Sequence, residues 1–498
     1  MVITRSTLLF SLIISAALGI VSFSAQSGSR MPLEAPPAGA VPHADRGDAH
    51  FSQDWHAGRR KALVESIKKG ITIRDMSGGE KKIDGSAAGV IFLRGAPERR
   101  DYQRFRQTNE FFYLTGLEAP GAALVINIAN GKEVLFLAPP SQLEELQFDD
   151  IRPHAPSTKT NKSHAQAEGE KLLANYKFND FRNTRELQKY LKSLAAEGVF
   201  YVCHEPEEYE ATSRDEAADF EAHQEKDPFD GRTSRTLQLR DKLVESLSVK
   251  ISDLSPFLDD LRRIKTTEEI EAMRIASKIA AAGHIAAMRA TKPGLKEWQV
   301  AGEATAVFYR MGAPAISYFP IFGTGRNALT LHYTNVGATI ARDDVILMDY
   351  APEWRYYASD VTRSWPASGK FTEKGKKIYE AVLKAQEAAI AKVRPGATFM
   401  EVNMAAMQSL VQSGFPPIPY MPHGLSHSIG MSTHDVCGIG PVLEAGEVFT
   451  IEPGIYDKES SIGVRIEDVI AVTKDGYDNL SKDAPKTVAA IEAIVGKR

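Results

Sequence analysis

The sequence predicts a mixed α/β amino-terminal domain followed by an α+β domain made of two similar halves. Three observations support this fold class: short apolar runs bounded by turn residues in the first half, a long-range sequence repeat in the second half, and a length of 498 residues. At about 150 residues per domain, that length suggests two or three domains. A composition of 43% hydrophobic and 25% charged residues is typical of a globular protein with a large core.

Residues 1–25 have the pattern of a secretory signal. Arg5 precedes the apolar run Leu8–Val21, and small residues follow it. Because this run is shorter than the ~20 residues of a membrane-spanning helix, we expect export to the periplasm or the extracellular space, with no stable membrane span after cleavage. A retained anchor is the alternative. Residues 26–50 are rich in Pro, Ala, Gly and Ser, which predicts a flexible linker.

The first domain is predicted to span residues 51–260. Its apolar runs Val90–Leu93, Ala123–Ile126 and Val134–Leu137 have the length and the flanking residues of buried strands. The segment 205–240 is highly charged and weakly periodic, so we interpret it as a surface insertion on this domain.

The two cysteines, Cys203 and Cys437, lie too far apart in the sequence to form a metal-binding motif. We expect them to be buried thiols, although an oxidising compartment would also permit one disulfide between them.

The second domain is predicted to span residues 261–498. Thr266 and Glu269 have the spacing of a capping box at the start of its first helix, and Thr291–Gly294 ends that helix.

This second domain contains an internal repeat with an offset of 102 residues. Lys292–Gly294 recurs as Arg394–Gly396, and Tyr318–Pro320 recurs as Tyr420–Pro422. Each Pro-Gly turn follows an alanine-rich amphipathic helix and precedes a second helix that ends at glycine. An offset shared by helices, turns and strands predicts two similar halves packed about a pseudo-twofold axis.

The repeat places carboxylates at matching strand ends. Asp349 and Glu452 end the first apolar strand of their halves, and a second strand in each half carries Asp360 or Glu467. The pseudo-twofold axis would bring these four side chains together. Burying isolated carboxylates is very costly, so either their pKa values rise or cations neutralise them. Two divalent ions, held by oxygen ligands that include a shared carboxylate, are the simpler arrangement.

Histidines add an asymmetry to the repeat. His427, in the segment His423–His427, has no histidine counterpart in the first half, where the same offset reaches Gly325. His427 would therefore bind only one of the two metals. In contrast, His332 and His434 match each other at the 102-residue offset.

Each of these residues also has an ordinary structural interpretation. Asp360 could pair with Arg363, Glu467 could pair with Arg465, and His332 alone could be a buried structural histidine. These alternatives do not explain matched acids at two strand pairs, so the pattern favours metal binding.

At these residues the sequence resembles the metallopeptidases of the pita-bread fold, which include methionine aminopeptidase, prolidase and aminopeptidase P. The segments His423–His427 (HGLSH) and Ile451–Gly454 (IEPG) carry this resemblance. Two further segments, Arg106–Gly116 and Ser359–Arg363, are similar to aminopeptidase P. Methionine aminopeptidases lack the domain that contains the first of these. The family's five metal ligands correspond to Asp349, Asp360, His427, Glu452 and Glu467.

The resemblance implies hydrolysis of the Xaa-Pro bond at the N-terminus of a peptide by a hydroxide that bridges two divalent ions. Mn2+ is the expected ion, with Zn2+ or Co2+ as alternatives. Asp360 and Glu467 would bridge the two ions. Asp349 would complete the ligands of one ion, and His427 and Glu452 would complete those of the other.

The same resemblance assigns roles around the metals. Glu452 would carry the proton to the leaving prolyl nitrogen. His332 and His434 would contact the substrate and stabilise the tetrahedral intermediate. His423 would line the proline pocket, and Arg465 would orient the bridging carboxylate of Glu467.

Partners follow from the resemblance and from the charge. Peptides with proline at the second position are the expected substrates, and a homo-oligomer, either a dimer or a tetramer, is the expected assembly. The net charge of −4 gives no electrostatic reason to expect a nucleic-acid partner.

Three other functions compete with this interpretation. Prolidase, which cleaves only dipeptides, is the nearest and would need an arginine that clamps the substrate carboxylate. A non-catalytic binding protein and a creatinase-like hydrolase without metal fit less well, because all five ligand positions are retained. The short loop Tyr456–Gly463 and the pair Ser432–Thr433 depart from the family pattern and leave the preferred peptide length open.

Overall fold

The computed structural model describes residues 51–74, 79–98, 105–138, 173–208, 213–313, 315–436 and 441–497. The expected signal (1–25), the expected linker (26–50) and Cys437 lie outside the described residues. Cys203 is a free thiol. Within these ranges, no helix is both long enough and apolar enough to cross a membrane.

The amino-terminal part is built around one six-stranded mixed sheet. Helix α1 (Gln53–Lys69) leads into a hairpin of β1 (Gly70–Arg74) and β2 (Glu80–Asp84). The sheet that follows contains β3 (Val90–Arg94), β4 (Ala123–Asn127), β5 (Glu133–Leu137), β6 (Asp180–Asn183), β7 (Val199–Val202) and β8 (Lys250–Asp253). Its strand order is β6-β5-β4-β3-β7-β8. The three apolar runs predicted to be strands are β3, β4 and β5.

Strand β3 is buried on both faces of the sheet. Ile91 and Leu93 belong to the main hydrophobic core, whereas Val90 and Phe92 belong to a second core on the opposite face, as the alternation of side chains along a strand requires. The other α-helices that the described residues of this part form are α2 (Asn109–Thr115), α3 (Leu187–Ser193), α4 (Arg214–Lys226), α5 (Arg235–Leu247) and α6 (Ser255–Arg263).

His56 of α1 is buried in this part of the molecule. Its Nδ1 donates a hydrogen bond to the carbonyl oxygen of Tyr113 over 2.9 Å. Burial, with the nearby Arg60 guanidinium, lowers the pKa of His56 from 6.5 to about 4. In the unfolded chain His56 takes up a proton below pH 6.5, whereas in the folded protein it does so only below about pH 4. Stability therefore falls as the pH drops through this window.

We expect His56→Gln to flatten this acid sensitivity. Between pH 7 and pH 4, the free energy of unfolding of the unmodified protein should fall by about 3 kcal/mol more than that of the variant. Urea unfolding at both pH values measures the difference. His223→Gln, which changes an exposed histidine, is the control and should keep the full pH dependence. Equal pH dependence in all three proteins would contradict the prediction.

The carboxyl-terminal part repeats a pair of packed helices. The predicted capping box of Thr266 and Glu269 is present at the start of its first helix. The helices are α7 (Thr267–Ala290), α8 (Glu297–Arg310), α9 (Glu373–Ile390), α10 (Phe399–Gln412), α11 (Pro417–Tyr420) and α12 (Val488–Ile494). Helix α7 packs against α8 in the first half, and α9 packs against α10 in the second.

Strands follow each helix pair in the same order. The first half contains β9 (Ala315–Ile316), β10 (Ile321–Thr324), β11 (Val345–Asp349), β12 (Pro352–Trp354), β13 (Tyr357–Ala358) and β14 (Thr362–Pro366). The second half contains β15 (Val448–Ile451), β16 (Gly454–Asp457), β17 (Ile462–Arg465), β18 (Asp468–Thr473) and β19 (Gly476–Asn479). Strand β11 pairs with β14 as β15 pairs with β18. The prediction of two similar halves is confirmed.

The segment 205–240 is only partly on the surface. Phe220 and Phe229 are exposed, as expected for an insertion, but Glu208 and Ser213 are buried. The segment contains α4 and the start of α5, and Glu208 accepts a hydrogen bond over 2.9 Å from the hydroxyl of Ser432 in the carboxyl-terminal part. The high charge density of this segment suggested a solvated surface. The sequence alone does not show which of these charges form ion pairs in the folded protein. The predicted domain boundaries themselves stay predictions.

A buried ion-pair cluster joins the amino-terminal and carboxyl-terminal parts. Arg262, which is 1% exposed, lies at its centre. Its guanidinium donates to Glu110 over 2.7 Å, to Glu208 over 3.1 Å and to Asp435 over 2.6 Å. Two of these acids belong to the amino-terminal part, whereas the third belongs to the loop before β15. Arg262 thus fixes that loop against the amino-terminal part.

Candidate active site

The four predicted carboxylates lie where strands begin or end. Asp349 is the last residue of β11, and Glu452 directly follows β15. Asp360 and Glu467 precede β14 and β18 and do not lie within those strands, in contrast to the sequence-based expectation. Asp349 follows the alternation of side chains along its strand, whereas the other three acids lie outside strands and are free of it, so all four can face one point.

The register shows where the repeat is inexact. In the first half, Asp349 of β11 pairs with Thr362 of β14. In the second half, Ile451 pairs with Asp468, so the next residue along, Glu452, lies opposite Glu467. The strand counterpart of Glu467 is therefore Thr362, and Asp360 lies two residues before it.

His427 also has a different counterpart from the one predicted. Its carbonyl oxygen accepts a hydrogen bond from the Thr450 N–H over 3.0 Å. In the first half, the residue that corresponds to Thr450 is Leu347, and Leu347 pairs with Gly323. The counterpart of His427 is thus Gly323 and not Gly325. The conclusion that the first half offers no imidazole there is unchanged.

The predicted ligand side chains converge on His427. Its Nε2 lies 3.4 Å from Asp360 Oδ2, 3.6 Å from Glu452 Oε1 and 3.9 Å from Glu467 Oε1. Single donor atoms of Asp360, His427 and Glu467 all lie within 4.8 Å of one another, a spacing that can hold a metal ion. The structure brings three of the four predicted carboxylate ligands around the imidazole nitrogen of the predicted ligand His427.

Tyr318 connects the fifth ligand to this group. Its hydroxyl contacts Asp349 and lies 2.6 Å from Asp360 Oδ1. A tyrosine hydroxyl carries only one hydrogen, so it cannot donate to both carboxylates at once. One more positive charge, either a proton or a cation, is needed between these two acids. Tyr318 was not among the predicted site residues, and its only signal in the sequence was its place in the repeated segment Tyr318–Pro320.

Arg465 holds the carboxylates differently from the prediction. It donates directly to Asp349 Oδ2 over 2.6 Å, and not to Glu467. It reaches Glu467 through Thr362, whose hydroxyl accepts from Arg465 Nε over 3.1 Å and donates to Glu467 Oε2 over 2.6 Å. Its third contact, at 2.7 Å, is the Tyr456 hydroxyl. Arg465 therefore orients a carboxylate from each half of the domain.

The electrostatics of the cluster call for cations. Burial and the neighbouring Asp360 raise the pKa of Asp349 to about 7, and burial raises the pKa of Glu452 and of Glu467. Although burial opposes it, hydrogen bonding to Asp360 and the nearby Glu452 raise the pKa of His427 to about 9. The pKa values of these three acids stay raised although Arg465 is nearby, whereas hydrogen bonds from His427 and Tyr318 lower the pKa of Asp360 although burial opposes it. Two divalent ions would supply the missing charge, so the donor set fits the predicted metal centre.

A cavity of about 290 Å³ opens beside this cluster, and all three predicted substrate histidines line it. His423 Nδ1 donates to its neighbour's carbonyl, and its Nε2 lies 3.0 Å from the Tyr456 hydroxyl. Burial and the Arg465 charge lower the pKa of His423 to about 4, so its imidazole is neutral. Burial, again with Arg465, lowers the pKa of His332. The ring of His434 lies 4.1 Å from that of His427, measured between centroids.

Sequence comparisons identify the family. The sequence profile of metallopeptidase family M24 matches residues 271–474, and that of the aminopeptidase P N-terminal domain matches residues 56–201. The Xaa-Pro aminopeptidase of Haemophilus influenzae is 31% identical over 424 residues, which are 78% of this chain and 88% of that protein. This chain belongs to the aminopeptidase P branch of metallopeptidase family M24.

Other M24 members of this branch support the assignment over nearly the whole chain. The Escherichia coli Xaa-Pro aminopeptidase is 29% identical over 474 residues, with 88% of this chain and 96% of that protein covered. The structure of Escherichia coli aminopeptidase P with the inhibitor Pro-Leu superposes with a TM-score of 0.70 at 26% identity, covering 90% of this chain and 98% of that chain. Pseudomonas aeruginosa aminopeptidase PepP gives 0.70 at 28% identity, covering 89% and 98%.

M24 membership confirms the predicted two-domain pita-bread fold and the class of metal-dependent hydrolase. Family members of this branch share both the amino-terminal domain and the duplicated domain found here. The roles predicted for individual site residues stay predictions, which the geometry above makes testable.

For an M24 enzyme, metal should stabilise the fold. At a Mn2+ concentration about 100 times Kd, binding to the native state adds about 2.7 kcal/mol of stability, which should raise Tm by roughly 3 °C for a chain of this length. Differential scanning fluorimetry with Mn2+ and then with a chelator measures this shift. Asp360→Ala should abolish it, whereas Glu380→Gln, which changes a partly exposed acid on α9, should keep it. The same shift in Asp360→Ala would place the stabilising ion elsewhere.

Proposed function

We propose that this protein is a dinuclear-metal aminopeptidase that hydrolyses the Xaa-Pro bond at the N-terminus of peptides. One observation carries the proposal: the side chains of the five ligand positions meet beside a cavity that three histidines also line. The Xaa-Pro aminopeptidases among its relatives support the choice of substrate.

The ligand residues would be Asp349, Asp360, His427, Glu452 and Glu467. Divalent ions held there supply Lewis acidity, which polarises a carbonyl group and makes water nucleophilic at neutral pH. We infer Mn2+ because a set of four carboxylates and one imidazole suits it. Tyr318, Thr362 and Arg465 hold these carboxylates in place before any substrate binds.

Glu452 is the residue that we assign to proton transfer. Its two carboxylate oxygens lie 3.6 Å from His427 Nε2 and 3.8 Å from His423 Nδ1. Burial raises its pKa above the usual value of a glutamate, although the His427 and Arg465 charges oppose this, and a raised pKa suits a group that both takes and returns a proton. It would deliver the proton to the prolyl nitrogen as the Xaa-Pro bond breaks.

His332 and His434 would act on the substrate carbonyl. Both line the cavity, and the ring of His434 lies 4.1 Å from that of the ligand His427. An imidazole N–H can donate to the oxygen that becomes negatively charged during attack, and such a donor placed in advance stabilises that charge.

Proline gives this site its use. A proline residue has no backbone N–H and restricts the residue before it, so a peptidase that binds the substrate through that N–H loses its contact. His423 lines the cavity and is placed to receive the ring. The buried Tyr456 hydroxyl, 3.0 Å from His423 Nε2, holds the imidazole in position.

The cavity favours a peptide over a dipeptide substrate. A prolidase needs a cation that clamps the free carboxylate of its substrate. Among the described residues that line the cavity, Arg465 is the one basic side chain besides histidine. Its guanidinium is already used by Asp349, Thr362 and Tyr456, so it is not available for such a clamp.

The test compares an Xaa-Pro-Xaa tripeptide with an Xaa-Pro dipeptide on the purified protein loaded with Mn2+. Metal-dependent release of the first residue from the tripeptide is the expected result. Cleavage of the dipeptide alone would make the protein a prolidase. Metal binding without cleavage of either peptide would favour a non-catalytic protein.

We also propose export and self-association. The order of charge, apolar run and small residues in 1–25 supports a cleaved signal, which amino-terminal sequencing of the exported protein would test. Resemblance to aminopeptidase P supports a dimer or tetramer, which analytical ultracentrifugation would test.

A further inference from the structure

The start of α4 lies directly against the candidate active site. Ser213 forms a parallel β-bridge with His434, and the Arg214 N–H donates to the His434 carbonyl oxygen over 3.2 Å. Ser213 and Glu216 both line the cavity. A segment of the amino-terminal part therefore forms one wall of the site, although its sequence suggested only a charged surface insertion.

Arg214 anchors this wall. Its guanidinium pairs with Glu110 and Asp259 over 2.8 Å each, and with Glu208. The arginine side chain is 13% exposed and these acids are mostly or fully buried. Because the anchor is buried and multiply bonded, the residue that follows it is held in position and loses little conformational freedom when it makes a contact.

Asp215 uses this position to contact the histidine. Its Oδ2 lies 2.8 Å from His434 Nδ1. Although partial burial opposes it, the hydrogen bond to His434 lowers the pKa of Asp215, so its carboxylate is ionised at neutral pH. An ionised carboxylate can only accept hydrogen bonds, so Nδ1 must carry the proton. The second ring nitrogen, Nε2, is then the one available to the substrate. In the neutral ring it accepts a hydrogen bond, and it donates to the developing oxyanion only in the doubly protonated ring, whose charge the Asp215 carboxylate stabilises.

We propose that Asp215 is a positioning residue that fixes the ring orientation and tautomer of His434 for the reaction. This inference rests on the proposed aminopeptidase function. A carboxylate that accepts a hydrogen bond from one imidazole nitrogen generally fixes which nitrogen faces the substrate. Here the carboxylate and the imidazole come from different domains. The amino-terminal domain thereby supplies part of the catalytic geometry.

A double-mutant cycle on Xaa-Pro-Xaa hydrolysis tests the proposal. Asp215→Ala should lower kcat about tenfold, as expected for one charged hydrogen bond, with KM changed less than about twofold. In the His434→Ala background, Asp215→Ala should have no further effect on kcat, because Asp215 acts only through that ring. Asp215→Asn, which keeps an oxygen acceptor, should recover most of the activity.

Asp219→Ala is the matched control, since it removes an exposed carboxylate one helical turn further along α4. It should keep unmodified kcat and KM. Thermal melting of each variant checks that the fold is retained. If the effects of Asp215→Ala and His434→Ala multiply in the double variant, Asp215 acts independently of His434 and the proposal is wrong.

A second measurement does not depend on activity. Nitrogen-15 spectra of histidine-labelled protein loaded with Zn2+, assigned with His434→Ala, report which ring nitrogen carries the proton. The expected state is a single Nδ1–H tautomer that becomes a mixture in Asp215→Ala. An unchanged His434 signal in that variant would overturn the proposal, even if the protein cleaves no Xaa-Pro peptide and the proposed function itself fails.

Discussion

Replacing Glu452 with glutamine is expected to lower kcat/KM for Xaa-Pro-Xaa hydrolysis by about 10³-fold. The substitution keeps the size of the side chain but removes a carboxylate that lies 3.6 Å from His427 and 3.8 Å from His423. The loss should be large because this one group is assigned both a metal-ligand position and the proton transfer to the leaving nitrogen. Steady-state kinetics at saturating Mn2+ measures it.

Glu444→Gln is the control for this prediction. Glu444 lies four residues before β15, is 55% exposed and pairs with Arg263. Its substitution should leave kcat/KM within about twofold. Metal analysis of the Glu452 variant separates its two roles, because a variant that keeps both metals and loses activity has lost the proton carrier. Activity above about a tenth of the unmodified level would show that another group moves the proton.

Replacing Asp468 with alanine is expected to reduce the free energy of unfolding by about 3–5 kcal/mol. Asp468 and Arg363 are both fully buried and lie 2.6 Å apart, and Lys486 lies 2.7 Å from the same carboxylate. Without Asp468 the guanidinium stays buried with its charge unpaired. Arg363 also donates to the backbone carbonyl of Glu467, so metal affinity should fall with stability.

Asp475→Ala is the control for the buried pair. Asp475 pairs with Lys474, and both side chains are more than 80% exposed, at 82% and 88%. Removing it should change stability by less than about 1 kcal/mol. Chemical unfolding of the three proteins gives the comparison. A loss below about 1 kcal/mol in Asp468→Ala would mean that water or another acid compensates for Arg363.

The acids at strand ends were predictable because a carboxylate after an apolar run is visible in the sequence. Asp349 and Glu452 each follow such a run, and the repeat shows that they are equivalent. Residues that act through distant contacts gave no comparable signal. Tyr318 lies between two carboxylates because the segment between β9 and β10 places its hydroxyl there. No local sequence pattern predicts that placement.

The pairing register of the strands also could not be predicted from the sequence. A constant offset aligned His427 with Gly325, but pairing in the sheet aligns it with Gly323, because the two halves differ in loop length before these strands. Likewise, the acid paired with Glu467 in sequence, Asp360, lies two residues from the true strand counterpart. Pairing between strands depends on the three-dimensional closure of loops, which a sequence alignment within one chain does not determine.

The cluster around Arg262 has a consequence for the evolution of the two domains. Because Glu110, Glu208 and Asp435 share one buried guanidinium, a substitution in the loop beside His434 also changes the environment of acids in the other domain. The two domains must therefore accept mutations together, and variants of one are selected against the background of the other. A chimera that joins this carboxyl-terminal domain to the amino-terminal domain of a distant relative would need Glu110 and Glu208 carried over with it.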